Sequence, residues 1–250
     1  MRLIKSTGPG HYTSVWYIEK DAPRYAVLSH TWGADSEEVT YRDLIDGTGK
    51  SKAGWHKIDF CRKQAAADDL QHFWVDTCCI NKDSSTELDQ AIVSMFRWYR
   101  GAEKCYVYLS DISTRKSATE VKTSSEAVES LLGQSRWFRR GWTLQELIAP
   151  TCVEFFSREG DRLGTKRSLE QLIHGITGIA IGALRGRSMT AFAVRERLGW
   201  AETRATREPE DRAYCMLGIF NVSMPLIYGE GEEKAFKRLR KEIGISWKRE

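Results

Sequence analysis

Short apolar runs of strand length alternate with amphipathic segments of helical period through the first 156 residues, and no other feature limits the fold so tightly. Tyr25 to His30 is an apolar run closed by small and polar residues, as in a buried strand. From about Gly54, Ile58, Cys61, Ala65 and Leu70 recur at near-helical spacing between Asp, Lys and Arg, which predicts an amphipathic helix. Phe73 to Ile80 is β-branched and aromatic and reads as a second strand. Leu88, Ile92, Met95, Phe96 and Tyr99 give the clearest helical stripe in the chain, with Ser84, Ser85 or Thr86 available as its N-cap. Cys105 to Leu109 supplies a third strand, Trp137 to Ile148 a helix stopped by Pro150, and Thr151 to Phe156 a fourth strand.

Strands joined by crossover helices line up in parallel, because each helix must cover an apolar face of the sheet. The fold class is therefore α/β, a parallel sheet flanked by helices. Residues 113–128 are rich in Ser, Thr and Lys and read as a surface loop inserted in that frame. Beyond Gly160 only helical periods remain: Leu169 to Ile176, Phe192 to Trp200, Tyr214 to Phe220 and Ala235 to Ile243. The expected division is an α/β core over residues 1–160 and a helical part over 161–250 that packs on it, since no Pro/Gly/Ser linker separates the two.

Charge excludes little beyond a strong polyanion binder. The chain has 38 Lys and Arg against 34 Asp and Glu, short of the concentrated basic field of nucleic-acid binding. No apolar stretch approaches the roughly 20 residues a membrane helix needs. Six cysteines without a CxxC pair, in a chain long enough to form its own core, are expected as thiols of a reducing compartment, the cytoplasm.

In an open parallel sheet, ligands bind beyond the carboxyl ends of the strands, where strand order reverses. That rule selects Ser29, His30, Thr31, Trp32 and Gly33 after the first strand, Asp76, Thr77 and Asn81 around the second, and Ser110 with Asp111 after the third. Any one of these could simply cap a strand. The segment from Arg136 to Leu147 adds two indoles, three guanidinium groups and one carboxylate, with Trp142 and Glu146 spaced i, i+4 on one helix face. A packed indole beside a surface ion pair is the structural alternative.

Other patterns carry less. Gly47 to Ser51 imitates the end of a phosphate-binding loop, but Leu44 stands where its first glycine belongs and no apolar strand precedes it. Gly229-Glu230-Gly231 lacks the third glycine of a dinucleotide fingerprint and reads as a helix entry. Cys78 and Cys79, adjacent in a strand, would face opposite ways and could not share a metal ion; Cys79 with His30 is the one conceivable nucleophile pair. No metal ligand set is expected.

These motifs together resemble the fungal heterokaryon incompatibility (HET) domain: YAVLSHTWG at 25–33, FWVDTCCINK at 73–82, LDQAIVSMFRWYRGA at 88–102, CYVYLSD at 105–111, SRWFRRGWTLQELIAP at 135–150 and REPEDRAYCMLGIFNVSMPLIYGEGEEKAF at 207–236. The resemblance implies a role in non-self recognition and programmed cell death, as the effector portion of a larger receptor-like protein, with an upstream receptor or partner and self-association on activation. The order of elements also resembles Toll/interleukin-1 receptor (TIR) domains and their flavodoxin-like sheet. In TIR enzymes that hydrolyse NAD, a glutamate lies on the helix after the third strand, beyond a nearby aromatic.

Carried over, that resemblance makes Glu146 the catalytic residue, stabilising positive charge on the ribose carbon as nicotinamide leaves. Ser29, His30, Thr31, Trp32, Asp76, Asp111, Arg139, Arg140 and Trp142 would then bind substrate, with Trp32 stacking on a base and an arginine meeting the pyrophosphate. NAD is on this reading a substrate and no cofactor is needed. The alternative expectation is a non-enzymatic adaptor acting through homotypic contacts, with the Trp/Arg segment as its interface.

Overall fold

A computed structural model describes residues 1–8, 11–115 and 125–244. Seven strands form one mixed sheet: β1 (Arg2–Gly8), β2 (His11–Trp16), β3 (Tyr25–His30), β4 (His72–Trp74), β5 (Lys104–Leu109), β6 (Val153–Ser157) and β7 (Arg162–Thr165), in the order β2-β1-β4-β3-β5-β6-β7. The four inner strands β4, β3, β5 and β6 run parallel. They correspond to the four strands read from the sequence, and β3 and β5 flank the point where strand order reverses. The sequence reading missed the antiparallel flanks: the β1–β2 hairpin against β4 on one side and β7 against β6 on the other.

The helices are α1 (Tyr41–Asp46), α2 (Trp55–Ala67), α3 (Asp76–Cys79), α4 (Ser85–Gly101), α5 (Ser125–Gln134) and α6 (Thr143–Ile148) within the α/β frame. They are followed by α7 (Glu170–Thr177), α8 (Ile181–Leu184), α9 (Val194–Gly199), α10 (Asp211–Tyr214), α11 (Leu217–Phe220) and α12 (Glu232–Glu242). Strand β3 is buried at every position, as a central parallel strand covered on both faces must be. Helix α4 shows why its stripe was readable: Ile92, Met95, Phe96 and Tyr99 are all buried, and Ser84 caps its N-terminus by accepting from Glu87 N–H.

Three local readings are corrected. The second strand stops at Trp74, because Cys79 N–H bonds the Val75 carbonyl at 2.8 Å and closes the turn α3. Cys78 and Cys79 therefore lie on a helical turn, both buried, and do not alternate across a strand. The expected helix from Trp137 to Ile148 is broken into a 3-10 turn, Arg136–Arg139, and α6. The break has a partner: Gly141 N–H donates to the Ala205 carbonyl at 2.9 Å and Ala205 N–H to the Arg139 carbonyl at 2.6 Å, so a strand-like bridge replaces the helical turn. Of the loop expected over 113–128, residues 116–124 lie outside the described residues, and its end belongs to α5.

The C-terminal helices close on the α/β frame through α11, which packs against α4. Gly218 makes this approach possible, since a Cβ there would lie 2.1 Å from Phe96 Cβ. Substituting Gly218→Ala is expected to cost about 1–3 kcal/mol by overpacking, read as a fall of several degrees in thermal midpoint. An unchanged midpoint would show that the two layers are not in close contact.

Candidate functional site

Strand β3 ends in a run of polar residues that are nonetheless buried, and each has a specific partner. Ser29 Oγ donates to Glu146 Oε2 at 2.5 Å and accepts from Trp137 Nε1 at 2.9 Å. Because its lone pair takes the indole N–H, the hydroxyl proton of Ser29 points at the carboxyl of Glu146. His30 Nε2 lies 2.8 Å from Asp76 Oδ1, and Trp32 Nε1 donates to Asp76 Oδ2 at 2.8 Å. The turn α3, which the sequence reading takes for strand, is what brings Asp76 within hydrogen-bond reach of both ring nitrogens.

These groups line a cavity of about 670 Å³, within the range of small-molecule sites. Its walls hold His30, Trp32, Asp76, Arg140, Trp142 and Glu146 from the sequence-selected set, with Ser29 behind Glu146. Thr31 faces a second cavity, of about 600 Å³, and touches Ser110 instead. Asp111 is occupied in the turn after β5, accepting from Ser135 Oγ and Arg136 N–H. Arg139 is exposed and lines neither cavity.

Gly33 and the α4 residues Leu88, Ile92 and Met95 also line the larger cavity, and the rest of its polar wall comes from residues that sequence reasoning did not select. Asp211 accepts from Trp142 Nε1 at 2.9 Å and from the Tyr228 hydroxyl at 2.9 Å. Lys82 sets its ammonium 3.6 Å from the centre of the Trp32 ring. Asp35 and Arg207 form an exposed ion pair at 2.6 Å across the rim. All lie in or beside the motifs quoted for the family resemblance. Their convergence depends on how residues 205–228 fold back over the sheet end, and no local period encodes that.

Electrostatics separates Glu146 from Asp76, two of the acids that line the cavity. Glu146 is only 6% exposed, and burial, aided by the nearby Asp76 charge, raises its pKa to about 8 against the hydrogen bond from Ser29. At neutral pH it is mostly a neutral carboxylic acid. Burial also opposes ionisation of Asp76, but the His30 ring, Lys82 and the Trp32 N–H outweigh it and hold this carboxyl far below its usual range. His30 is pushed down by burial and by Lys57. One acid thus stays protonated and the other charged, an arrangement found where proton-transfer or charge-stabilising chemistry occurs.

The scaffold behind the cavity uses buried cations. Arg204 donates to the Arg140 carbonyl at 2.8 Å and Thr143 Oγ1 at 2.9 Å, fixing the entry to α6. Lys166, lowered by burial to about 8, donates to the Leu147 and Pro150 carbonyls at its exit. Behind the Trp32 loop, Lys57 pairs with Glu38 at 2.6 Å, while Glu38 accepts from Gly33 N–H at 2.6 Å. Trp137 and Phe138 are buried in the core, the first edge-on to Phe155 and the second stacked on it, so the indole-rich segment offers no exposed aromatic anchor at these positions. Among the described residues, no group of three His, Cys, Asp or Glu is arranged to hold a metal ion, and no helix is long and apolar enough to cross a membrane.

Comparison with known proteins agrees with the motifs. Residues 25–129 match the family model described as heterokaryon incompatibility protein (HET). The chain is 57% identical over 222 residues to vegetative incompatibility protein HET-E-1 of Podospora anserina, an alignment covering 89% of this chain and 16% of that protein. The chain thus spans about one-sixth of the length of that relative. No solved structure matches.

The raised pKa of Glu146 has a stability consequence. Below about pH 4.5 the side chain is neutral in both states; between there and about 8 the unfolded chain loses the proton that the folded protein keeps, so stability falls as pH rises. Glu146→Gln removes this penalty, on the order of a few kcal/mol at its fullest. The variant is expected to melt higher than wild type at pH 8 and near wild type at pH 5. Equal differences at both pH values would mean that Glu146 ionises normally.

Proposed function

Because the chain carries a heterokaryon incompatibility domain, we propose that it acts in vegetative incompatibility as a cell-death effector, by hydrolysing NAD or a related nucleotide at the cavity around Glu146. The observation that carries this reading is a buried acid of raised pKa on the wall of a nucleotide-sized cavity. It is held by Ser29 and flanked by Trp32, Trp142 and Arg140.

In this mechanism the glycosidic bond between ribose and nicotinamide breaks, and its electron pair leaves with nicotinamide. Positive charge then develops on the anomeric carbon and its ring oxygen, and ionised Glu146 stabilises it. Water adds to the same carbon and gives up a proton, leaving ADP-ribose. The cationic nicotinamide ring, arriving beside Glu146, favours loss of its proton and so ionises the acid when substrate is present. Ser29, whose proton is already directed at Oε2, holds the carboxyl in one orientation as its charge changes. Self-association, cytoplasmic action and an upstream receptor or partner are part of the same proposal.

The test is NAD cleavage by purified chain at high protein concentration, with product release followed across pH. Glu146→Gln is expected to lower kcat by about 100-fold or more, on the scale of losing one preorganised charge-stabilising group. In wild type, kcat/KM is expected to rise with pH toward a plateau above about 8, since the free protein must lose the Glu146 proton. Equal turnover by both proteins would remove Glu146 from the chemistry. Cell death with intact NAD and no effect of Glu146→Gln would favour action through protein contacts alone.

A further inference from the structure

Two cations meet over one indole inside this cavity. The Lys82 ammonium lies 3.6 Å from the Trp32 ring centroid and the Arg140 guanidinium carbon 5.5 Å from it. Both residues line the cavity that Glu146 faces. Among the described residues, neither has a carboxylate within ion-pair distance of its charged group.

Four of the five acids lining the cavity are engaged away from this pair of cations. Asp76 accepts from His30 and Trp32, one through each oxygen. Asp35 is paired with Arg207, Asp211 accepts from Trp142 and Tyr228, and Glu146 carries its proton at neutral pH. Glu208 stands exposed among the lining residues. Two like charges held beside one ring repel each other, and the ring quadrupole together with the Asp76 charge, which lies beyond ion-pair distance, offsets only part of that cost. A bound group with negative charge and several acceptor oxygens would relieve it.

We propose that Lys82 and Arg140 form an anion subsite for a diphosphate, so that the cavity takes nucleoside diphosphates and dinucleotides in preference to nucleosides. This deepens the nucleotide reading above but does not depend on the chemistry assigned to Glu146. Arg140 supplies a planar fork for phosphate oxygens, and Lys82 a compact charge on a flexible stem that can move from the indole to the ligand. Trp32 then serves as the platform on which the two cations wait. The face of its ring that Lys82 covers is free for a base only after the ammonium has moved.

Binding to the full chain is measured by calorimetry with three probes: ADP-ribose, inorganic pyrophosphate and nicotinamide riboside, which lacks phosphate. Lys82 is exposed, so Lys82→Ala is not expected to disturb folding. ADP-ribose is expected to bind wild type, to weaken with added salt, and to lose about tenfold or more in affinity in Lys82→Ala and in Arg140→Gln. Nicotinamide riboside is expected to bind both Lys82 forms alike. Pyrophosphate that competes with ADP-ribose supports a subsite for the diphosphate itself. Pyrophosphate that fails to compete overturns that assignment, as does ADP-ribose affinity unchanged by Lys82→Ala or by salt. Loss of NAD turnover in Glu146→Gln with ADP-ribose affinity retained would support both readings. Absence of NAD turnover in wild type with ADP-ribose bound through Lys82 would remove the hydrolytic reading and leave this one standing.

Discussion

The hydrogen bond from Ser29 to Glu146 joins the central strand to the short helix α6, and the rest of the site is arranged around it. A carboxylate buried this deeply without a cation against it would be costly, so the group retains its proton instead. Trp137 completes the arrangement by donating to Ser29, which leaves the serine proton only one direction to point. Three residues from β3, the 3-10 turn and α6 are thereby locked into a single geometry. The same contact that orders the sheet end also gives the cavity an acid titrating near neutrality.

Holding that geometry requires support from outside the parallel sheet. Helix α6 has only six residues and is too short to persist alone, so its ends are fixed by Arg204 and Lys166. The Trp32 loop is fixed likewise, from behind by Glu38 and Lys57 and from the front by Asp76. Buried ions seldom add net stability compared with apolar residues of similar size. Here they set backbone carbonyls and N–H groups that no apolar side chain can satisfy, so their role is to specify one arrangement of the cavity wall.

The sequence made the four parallel strands legible because they are almost wholly buried apolar runs, and the long α4 because one face is buried and the other exposed. It hid the antiparallel flanks, since β1 and β2 themselves contain polar residues, such as the half-buried Lys5 and Ser6 of β1, that blur alternation. It also misassigned Asp76 to Cys79, where β-branched and aromatic neighbours suggest strand but the backbone turns. That turn is a site feature: it aims Asp76 at His30 and Trp32. Of the site, Glu146, Trp142, His30 and Trp32 were readable from strand ends and helical spacing. Lys82, Asp211 and Tyr228 were not, because they reach the cavity only through tertiary contacts between distant segments.

In the unliganded protein at physiological pH, Glu146 is mostly a neutral acid, and the proposed chemistry turns on that state. The most direct measurement is the 13C chemical shift of its side-chain carboxyl as a function of pH, assigned by its disappearance in Glu146→Gln. A transition centred near 8 is expected. A transition near 4.5, the ordinary glutamate value, would contradict it and with it the proposed role of burial at this site.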